Sequence, residues 1–338
     1  MLILSNALTD VIDEGCVKVA YNLVKRIKNA DKSTVVVSFD RRSDLSDEYI
    51  SVNKLLINRK LIKAVRKNKG KVVYIPFPAK TASTALRVFI MSLFAGNNFK
   101  VILCMTSGMD IISKLLFKIS CAKFFVFSKK SFELYSSVVG EKRVTYLKTG
   151  VDTEKFLPVS EDKAKELKIK YGFDPNQKLV IHVGHINGGR NVQQLTKLTK
   201  HYQVLLVSST LTKNEQDPTL KNKLLSHGVR IIDTYVKNIE EIYQMSDAYF
   251  FPVKEEGKCI DVPLSCLEAS SCNKPIVTTD FGEMKEFIGK DGYYFIESFT
   301  TDKLEEKIAQ ALRTENLSTR LAVMDYDWHF AIDELKKG

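Results

Sequence analysis

The chain has 338 residues, 44% of them apolar and 27% charged, with a formal net charge of +11; this is the composition of an ordinary soluble globular protein long enough for two cores. Sixteen Gly and eight Pro argue against low complexity, the six Cys form no C-x-x-C pair that would suggest a zinc framework, and the longest uncharged apolar run, 88–99, contains Asn97 and Asn98 and falls short of the roughly 20 residues of a bilayer span. The charge is uneven: residues 1–150 hold 26 Lys and Arg against 11 Asp and Glu, and the remainder holds 25 against 29, so the first half is expected to face a polyanion such as nucleic acid, an anionic membrane or a phosphate-bearing substrate.

In chain order, the opening MLILSNALTD is apolar but lacks a basic lead and a cleavage-type tail, so it reads as a first strand rather than a signal peptide. With no export signal, the Cys residues are expected to be free thiols in a reducing cytosol. Short runs rich in β-branched and aromatic residues then alternate with stretches of helical period. The first half predicts strands at 2–4, 35–39, 72–75, 101–105, 124–127 and 144–147, and helices at 17–27, 55–67, 85–94 and 111–119. The polar segment 160–171, between Pro158 and Gly172, reads as a helical connector. Beyond it, strands are expected at 179–183, 204–207, 229–232, 249–251, 275–278 and 293–296, and helices at 191–200, 239–245 and 264–271. Such alternation predicts an α/β chain of two Rossmann-like, doubly wound parallel-sheet domains facing across a cleft. The expected division is 1–158, 159–320, and a helical tail 321–338 packing back toward the first domain.

In such folds ligands sit on loops after strands. After the strand at 179–183 comes Gly184-His185-Ile186-Asn187-Gly188-Gly189-Arg190, then a helix. Glycines there permit close backbone approach to a ligand, and Arg190 offers a fixed fork to phosphate oxygens, although a structural turn would use the same residues. The segment matches neither the dinucleotide G-x-G-x-x-G pattern nor the P-loop. A second constellation follows the strand at 249–251: Asp261, then Pro263 opening a helix with Leu264, Ser265 and, one turn in, Glu268. The free amides of that helix start suit an anion, and Glu268 suits a ribose diol, or else is a solvated helix residue.

These residues carry a family resemblance. Lys148-Thr149-Gly150-Val151-Asp152-Thr153-Glu154-Lys155-Phe156-Leu157-Pro158 resembles the NGVDxxxFxP junction of the GT-B retaining glycosyltransferases of family 4 (glycosyl transferases group 1). Gly184 to Arg190 resembles that family's GRLxxxKG loop, 263–280 (PLSCLEASSCNKPIVTTD) is similar to its PLxLLEAMACGxPVVATD, and Tyr326-Asp327-Trp328 resembles the segment opening its terminal helix. The resemblance implies a hexosyltransferase (EC 2.4) that uses a nucleotide-diphosphate sugar as donor, with retention and without metal or other cofactor. It gives Arg190 and His185 the pyrophosphate-binding positions, Glu268 the ribose contact, Tyr235 and Val236 the base, and Leu264 and Ser265 amides that face the donor. Arg190 and Glu268 are the residues expected to carry catalysis.

The chain departs from the family at Ile260, where a first glutamate is expected eight residues before Glu268; Asp261 is adjacent, and Glu255 and Glu256 lie in a longer loop. Gly15, in Asp13-Glu14-Gly15-Cys16, stands where the family's glycine loop meets donor and acceptor, or is a plain turn glycine. No His precedes His182 and no D-x-D ends a strand, so neither a histidine base in the first half nor a bound metal is implied. The run 54–69, KLLINRKLIKAVRKNK, with Lys54, Arg59, Lys60, Lys63, Arg66, Lys67 and Lys69 outward and Leu55, Ile62 and Val65 inward, suits docking on an anionic membrane, or is a solvated face. The acceptor is accordingly read as a glycan, lipid-linked or otherwise anionic, and the location as cytoplasmic or peripheral on the inner membrane face. Rival readings are a nucleotide-sugar epimerase of the same fold and a non-catalytic nucleotide-sugar-binding subunit; no nucleic-acid-binding module is recognisable.

Overall fold

The computed structural model describes residues 1–39, 41–53, 58–77, 82–105, 108–148, 150–211, 216–255, 257, 259–315 and 317–337. The chain forms two compact units, Met1–Thr149 with Trp328–Gly338, and Gly150–Asp327.

The first unit is a seven-stranded sheet of β1 (Leu2–Ser5), β2 (Val35–Ser38), β3 (Glu48–Tyr49), β4 (Val72–Ile75), β5 (Lys100–Leu103), β6 (Lys123–Val126) and β7 (Val144–Tyr146), in the order β3-β2-β1-β4-β5-β6-β7. Every pairing is parallel. Both faces of such a sheet are covered, which is why β1, β4 and β5 are largely apolar and buried at every position. Its helices are α1 (Gly15–Ala30), α2 (Arg59–Lys67), α3 (Ala82–Ala95), α4 (Ile111–Ile119) and α5 (Lys129–Val139). The helix expected at 55–67 starts at Arg59 because the Asn58 side chain caps the Lys60 and Leu61 amides. Its buried residues are Leu61 and Val65; Lys54 and Leu55 lie outside the described residues.

The second unit is a six-stranded parallel sheet of β8 (Leu179–Val183), β9 (Gln203–Val207), β10 (Arg230–Ile232), β11 (Ala248–Phe251), β12 (Ile276–Thr278) and β13 (Tyr293–Phe295), in the order β10-β9-β8-β11-β12-β13. Its helices are α6 (Glu161–Lys170), α7 (Pro218–Ser226), α8 (Ile239–Met245), α9 (Leu264–Ser271) and α10 (Thr301–Arg313). The segment expected as a helix at 191–200 is instead a 3-10 stretch, Val192–Lys197. Asn191 precedes it in the left-handed region (φ 56°), which an α-helix starting at 191 would not allow; its Oδ1 accepts from the side chains of Gln193 and Gln194.

The chain leaves the first unit before Gly150, ahead of the expected 158. Segment 150–158 is held by the second unit's own terminal turn: the Gly150 and Val151 amides both donate to Tyr326 O, at 2.9 and 3.2 Å. Asp327 Oδ2 accepts from the Thr153 amide at 2.9 Å and its hydroxyl at 2.8 Å. That pairing keeps Asp327 extended, so 321–337 is not one helix but a 3-10 turn, Leu321–Tyr326, followed by α11 (Trp328–Lys337). α11 packs against α1 in the first unit, where the buried Lys100 ammonium donates to Leu335 O at 2.5 Å.

Gly150 is the tight point of the junction. Its φ is +145°, and a Cβ there would stand 2.5 Å from Leu264 Cδ2 and 3.1 Å from Leu267 Cδ1, both on α9. Gly150→Ala is therefore expected to destabilise the second unit by at least ~1 kcal/mol, by steric conflict plus an unfavourable φ. Urea unfolding followed at the second unit would reveal this; an unchanged midpoint would refute the close-packing argument.

Candidate functional site

In the second sheet the strand order reverses between β8 and β11, and the loops after these two strands, 184–191 and 252–263, both leave the carboxyl edge. This topological switch point is where an open α/β sheet opens a crevice for ligands. The two loops are tied together, since Asn191 Nδ2 donates to Pro252 O at 3.2 Å. The segment after β12 closes from the other side, where the Glu283 amide donates to Asp261 O at 3.0 Å.

Arg190 ends a short 3-10 turn, Gly188–Arg190, whose cap is Asn187: Asn187 Oδ1 accepts from the Arg190 amide at 3.1 Å. The side chain is only 7% exposed, its Nε has no hydrogen-bond partner, and among the described residues it has no carboxylate partner. A guanidinium taken out of water without an anion is costly. It lies close enough to Cys266, in the first turn of α9, to oppose the strong upward push that burial gives that thiol's pKa.

α9 itself begins without a side-chain cap. Pro263 precedes it, supplying no side-chain acceptor, whereas α1, α2, α4, α5, α6 and α7 are capped by Glu14, Asn58, Asp110, Ser128, Ser160 and Asp217. The first amides bonded back within the helix are those of Cys266 and Leu267, to Pro263 O. Those of Leu264 and Ser265 therefore remain for an external acceptor, the usual property of an anion-binding helix start.

Glu268 is not a solvated helix residue. It is 4% exposed, and Tyr243 Oη of α8 donates to its Oε2 at 2.6 Å. Burial beside this carboxylate drives the Tyr243 pKa far above its ordinary value, so the phenol stays a donor. Phe156 packs edge-on against Tyr243 with centroids 5.7 Å apart. Arg320 then fastens Phe156 O and Ser271 O, at 3.0 and 2.8 Å. The carboxylate is thus held from its hydrogen-bond partner outward.

Under Gly184 lies His182, fully buried on β8. Its Nδ1 is 2.9 Å from Phe250 O, an acceptor, so Nδ1 carries the proton and Nε2 presents a lone pair with no hydrogen-bond partner. A Cβ on Gly184 would meet that Nε2 at 2.7 Å and Arg190 Nη1 at 3.5 Å. Burial, aided by the nearby Arg190 and His185 charges, brings the His182 pKa down to about 4. The ring stacks between Tyr249 and Phe251, 6.2 and 6.1 Å away.

Of the residues singled out by sequence, Gly184, His185, Arg190, Asp261, Pro263, Leu264, Ser265 and Glu268 all lie on the elements around the β8–β11 switch point. Tyr235 and Val236 stand after the outermost strand, β10, with Tyr235 41% exposed. Gly15 belongs to the first unit, where it opens α1 behind the Glu14 cap. Ile260, at the position of the missing glutamate, is buried at 6% exposure; Glu256 lies outside the described residues. The sequence reading missed Tyr243 and His182. A histidine inside the apolar run LVIHV was the available signal, because a buried polar residue in a central strand needs a partner. Among the described residues no group of three or more His, Cys, Asp or Glu could hold a metal ion.

The fold defines a class: two parallel-sheet α/β domains, of seven and six strands, matching structures of GT-B glycosyltransferases. One is Alr3699/HepE of Anabaena, determined in complex with UDP and glucose, with a TM-score of 0.73, 12% identity, and coverage of 99% of this chain and 98% of that one. Residues 163–324, within the second unit, match the family Glycosyl transferases group 1. EpsD of Bacillus subtilis is 25% identical over 176 residues, 50% of this chain and 43% of EpsD. The alpha-galactosylglucosyldiacylglycerol synthase of Streptococcus pneumoniae is 21% identical over 160 residues, 44% of this chain and 41% of the synthase. The chain spans less than half the length of either curated relative.

His182 makes a pH signature. With a folded pKa near 4 against an ordinary 6.5, the unfolded chain binds a proton that the folded chain refuses between those values. Its contribution to stability is complete above 6.5 and is lost as the pH falls toward 4, with a slope of up to ~1.4 kcal/mol per pH unit. In His182→Phe, whose ring fits the same stack, stability measured by urea unfolding is expected to fall less steeply across that window. Equal slopes in both proteins would rule His182 out as the titrating group.

Proposed function

We propose that the chain is a retaining glycosyltransferase of the hexosyltransferase type (EC 2.4, family 4) that binds a nucleoside diphosphate sugar in its second unit. The observation carrying this reading is the buried Arg190 guanidinium, without a carboxylate partner among the described residues, beside the uncapped start of α9. A diphosphate satisfies both at once: Arg190 neutralises its charge while the Leu264 and Ser265 amides donate to its oxygens. In this reading Glu268, fixed by Tyr243, accepts from the ribose hydroxyls. His185 lies along the phosphates, the Tyr235–Val236 segment flanks the base, and Asp261 stands toward the sugar. The uridine nucleotide and glucose bound by the Anabaena structure support a donor of this class.

During transfer the bond from the anomeric carbon to the diphosphate oxygen breaks and a bond to the acceptor oxygen forms on the same face. The acceptor's proton passes to the departing diphosphate oxygen, so no protein base is required. Catalysis then rests on positioning and on positive charge where the leaving group develops its negative charge. The reading includes no metal ion or organic cofactor. We further propose an acceptor glycan that is lipid-linked, at the cytoplasmic side of a membrane, a choice supported by the diacylglycerol in the name of the Streptococcus relative. No helix among the described residues is long and apolar enough to cross a membrane.

The buried Ile260, in place of a carboxylate, motivates one second reading, a nucleotide-sugar binder that does not transfer. A thermal-shift screen over UDP-, GDP-, ADP- and TDP-sugars, followed by donor-hydrolysis and transfer assays, separates the two, since a ligand selective for the folded state raises its stability. One donor class is expected to shift the melting temperature and to be turned over. Arg190→Met is expected to abolish the shift and lower turnover by ~100- to 1000-fold, with Arg190→Lys in between. A shift without turnover would favour the binder, and no shift from any donor would remove the nucleotide-sugar reading.

A further inference from the structure

α4 is built inside out. Its N-terminus is well made: the Asp110 carboxylate accepts from the Ser113 amide at 2.7 Å, a bond that holds the Asp110 pKa below its ordinary value. Its inner side is anchored by Phe117, whose ring meets Phe124 at 5.2 Å and Tyr135 at 5.5 Å. Its outer side is nevertheless aliphatic. Ile111 is 85% exposed, Ile112 70%, Leu115 56% and Ile119 54%. Spacings of three and four place these side chains in one stripe, with exposed Lys114 and Lys118 along its flank. α3, which packs along α4, adds Leu93 at 63% exposure. A surface helix normally turns its polar side to water, and a contiguous exposed apolar patch marks a contact surface.

Charge selects the occupant. Residues 1–150 carry 26 basic against 11 acidic residues, so a second copy would bring like charge to the patch, whereas an anionic bilayer brings the complement. α2 is more basic, but Leu61 and Val65 are buried and Ile62 is half-buried, so it can attract a membrane yet exposes far less apolar surface than α4. We infer that α4 is the face by which the first unit docks on an anionic lipid surface, with Ile111, Ile112, Leu115 and Ile119 entering the acyl boundary and Lys114 and Lys118 at the headgroups. This does not rest on the donor-site reading.

The test is co-sedimentation of the full chain with phosphatidylcholine vesicles made with or without phosphatidylglycerol. The protein is expected to bind the mixed vesicles and not the neutral ones. Replacing Ile111, Leu115 and Ile119 by Ser should weaken binding by at least ~10-fold with no loss of melting temperature, because the residues are already exposed. Lys114→Glu with Lys118→Glu should weaken it as well. Unchanged partitioning of the serine variant would overturn the proposal, as would charge reversal at Lys60, Lys63 and Lys67 removing all binding while the α4 variants retain it. Self-association without lipid, detected by analytical ultracentrifugation and abolished by the serine substitutions, would assign the patch to a second copy instead.

Discussion

A largely buried positive charge with no carboxylate partner among the described residues sets the terms for the second unit. Solvation lost on burying a guanidinium costs several kcal/mol unless an anion and hydrogen bonds return it, and at Arg190 the described residues return little. The strand-order reversal places α9 next to it with two amides uncommitted. Both features leave electrostatic demand unmet in the protein alone. One ligand with charge spread over several oxygens answers both, and a neutral or cationic ligand answers neither.

His182 belongs to the same balance. Had it been protonated, two cations would lie side by side in a buried space. Burial keeps it neutral at physiological pH, so Arg190 is the fixed charge there. The Nε2 lone pair stays buried beside Gly184, where it limits how bulky that position can be. Its stacking between Tyr249 and Phe251 explains how an imidazole is accommodated in the middle of an apolar strand.

Much of this fold was legible in the sequence because buried parallel strands leave a strong mark. Runs such as VVVS, VVYI and AYFF, separated by amphipathic stretches, admit few architectures other than two doubly wound sheets. The ends of elements were less legible, since tertiary partners decided them: Thr153 breaks the tail helix at Asp327, and Asn191 turns an expected helix into 3-10 turns. The two-residue β3 carries too little sequence to announce itself. α5, α7 and α10 were passed over, although α10 places Leu304, Ile308 and Ala311 on one buried face at helical spacing. In the site, loop residues with a family pattern were visible, whereas Tyr243 was not, because its role depends on a contact across 25 residues that no local spacing reports.

The same division applies to surface and interior. Composition located the excess positive charge in the first half, and the natural expectation put its purpose on the lysine-rich segment around α2. The proposed docking face moves to α4 on exposure, because charge alone gives attraction that salt screens, while anchoring needs apolar area removed from water. In sequence IISKLLFKI looks like an ordinary half-buried helix. Only the packing of Ser113, Leu116 and Phe117 inward shows that the other four aliphatics have been left outside. A hydrophobic period fixes the angular spread of apolar residues around a helix but not which part of a wide stripe the core occupies, and on α4 the core takes the smaller share.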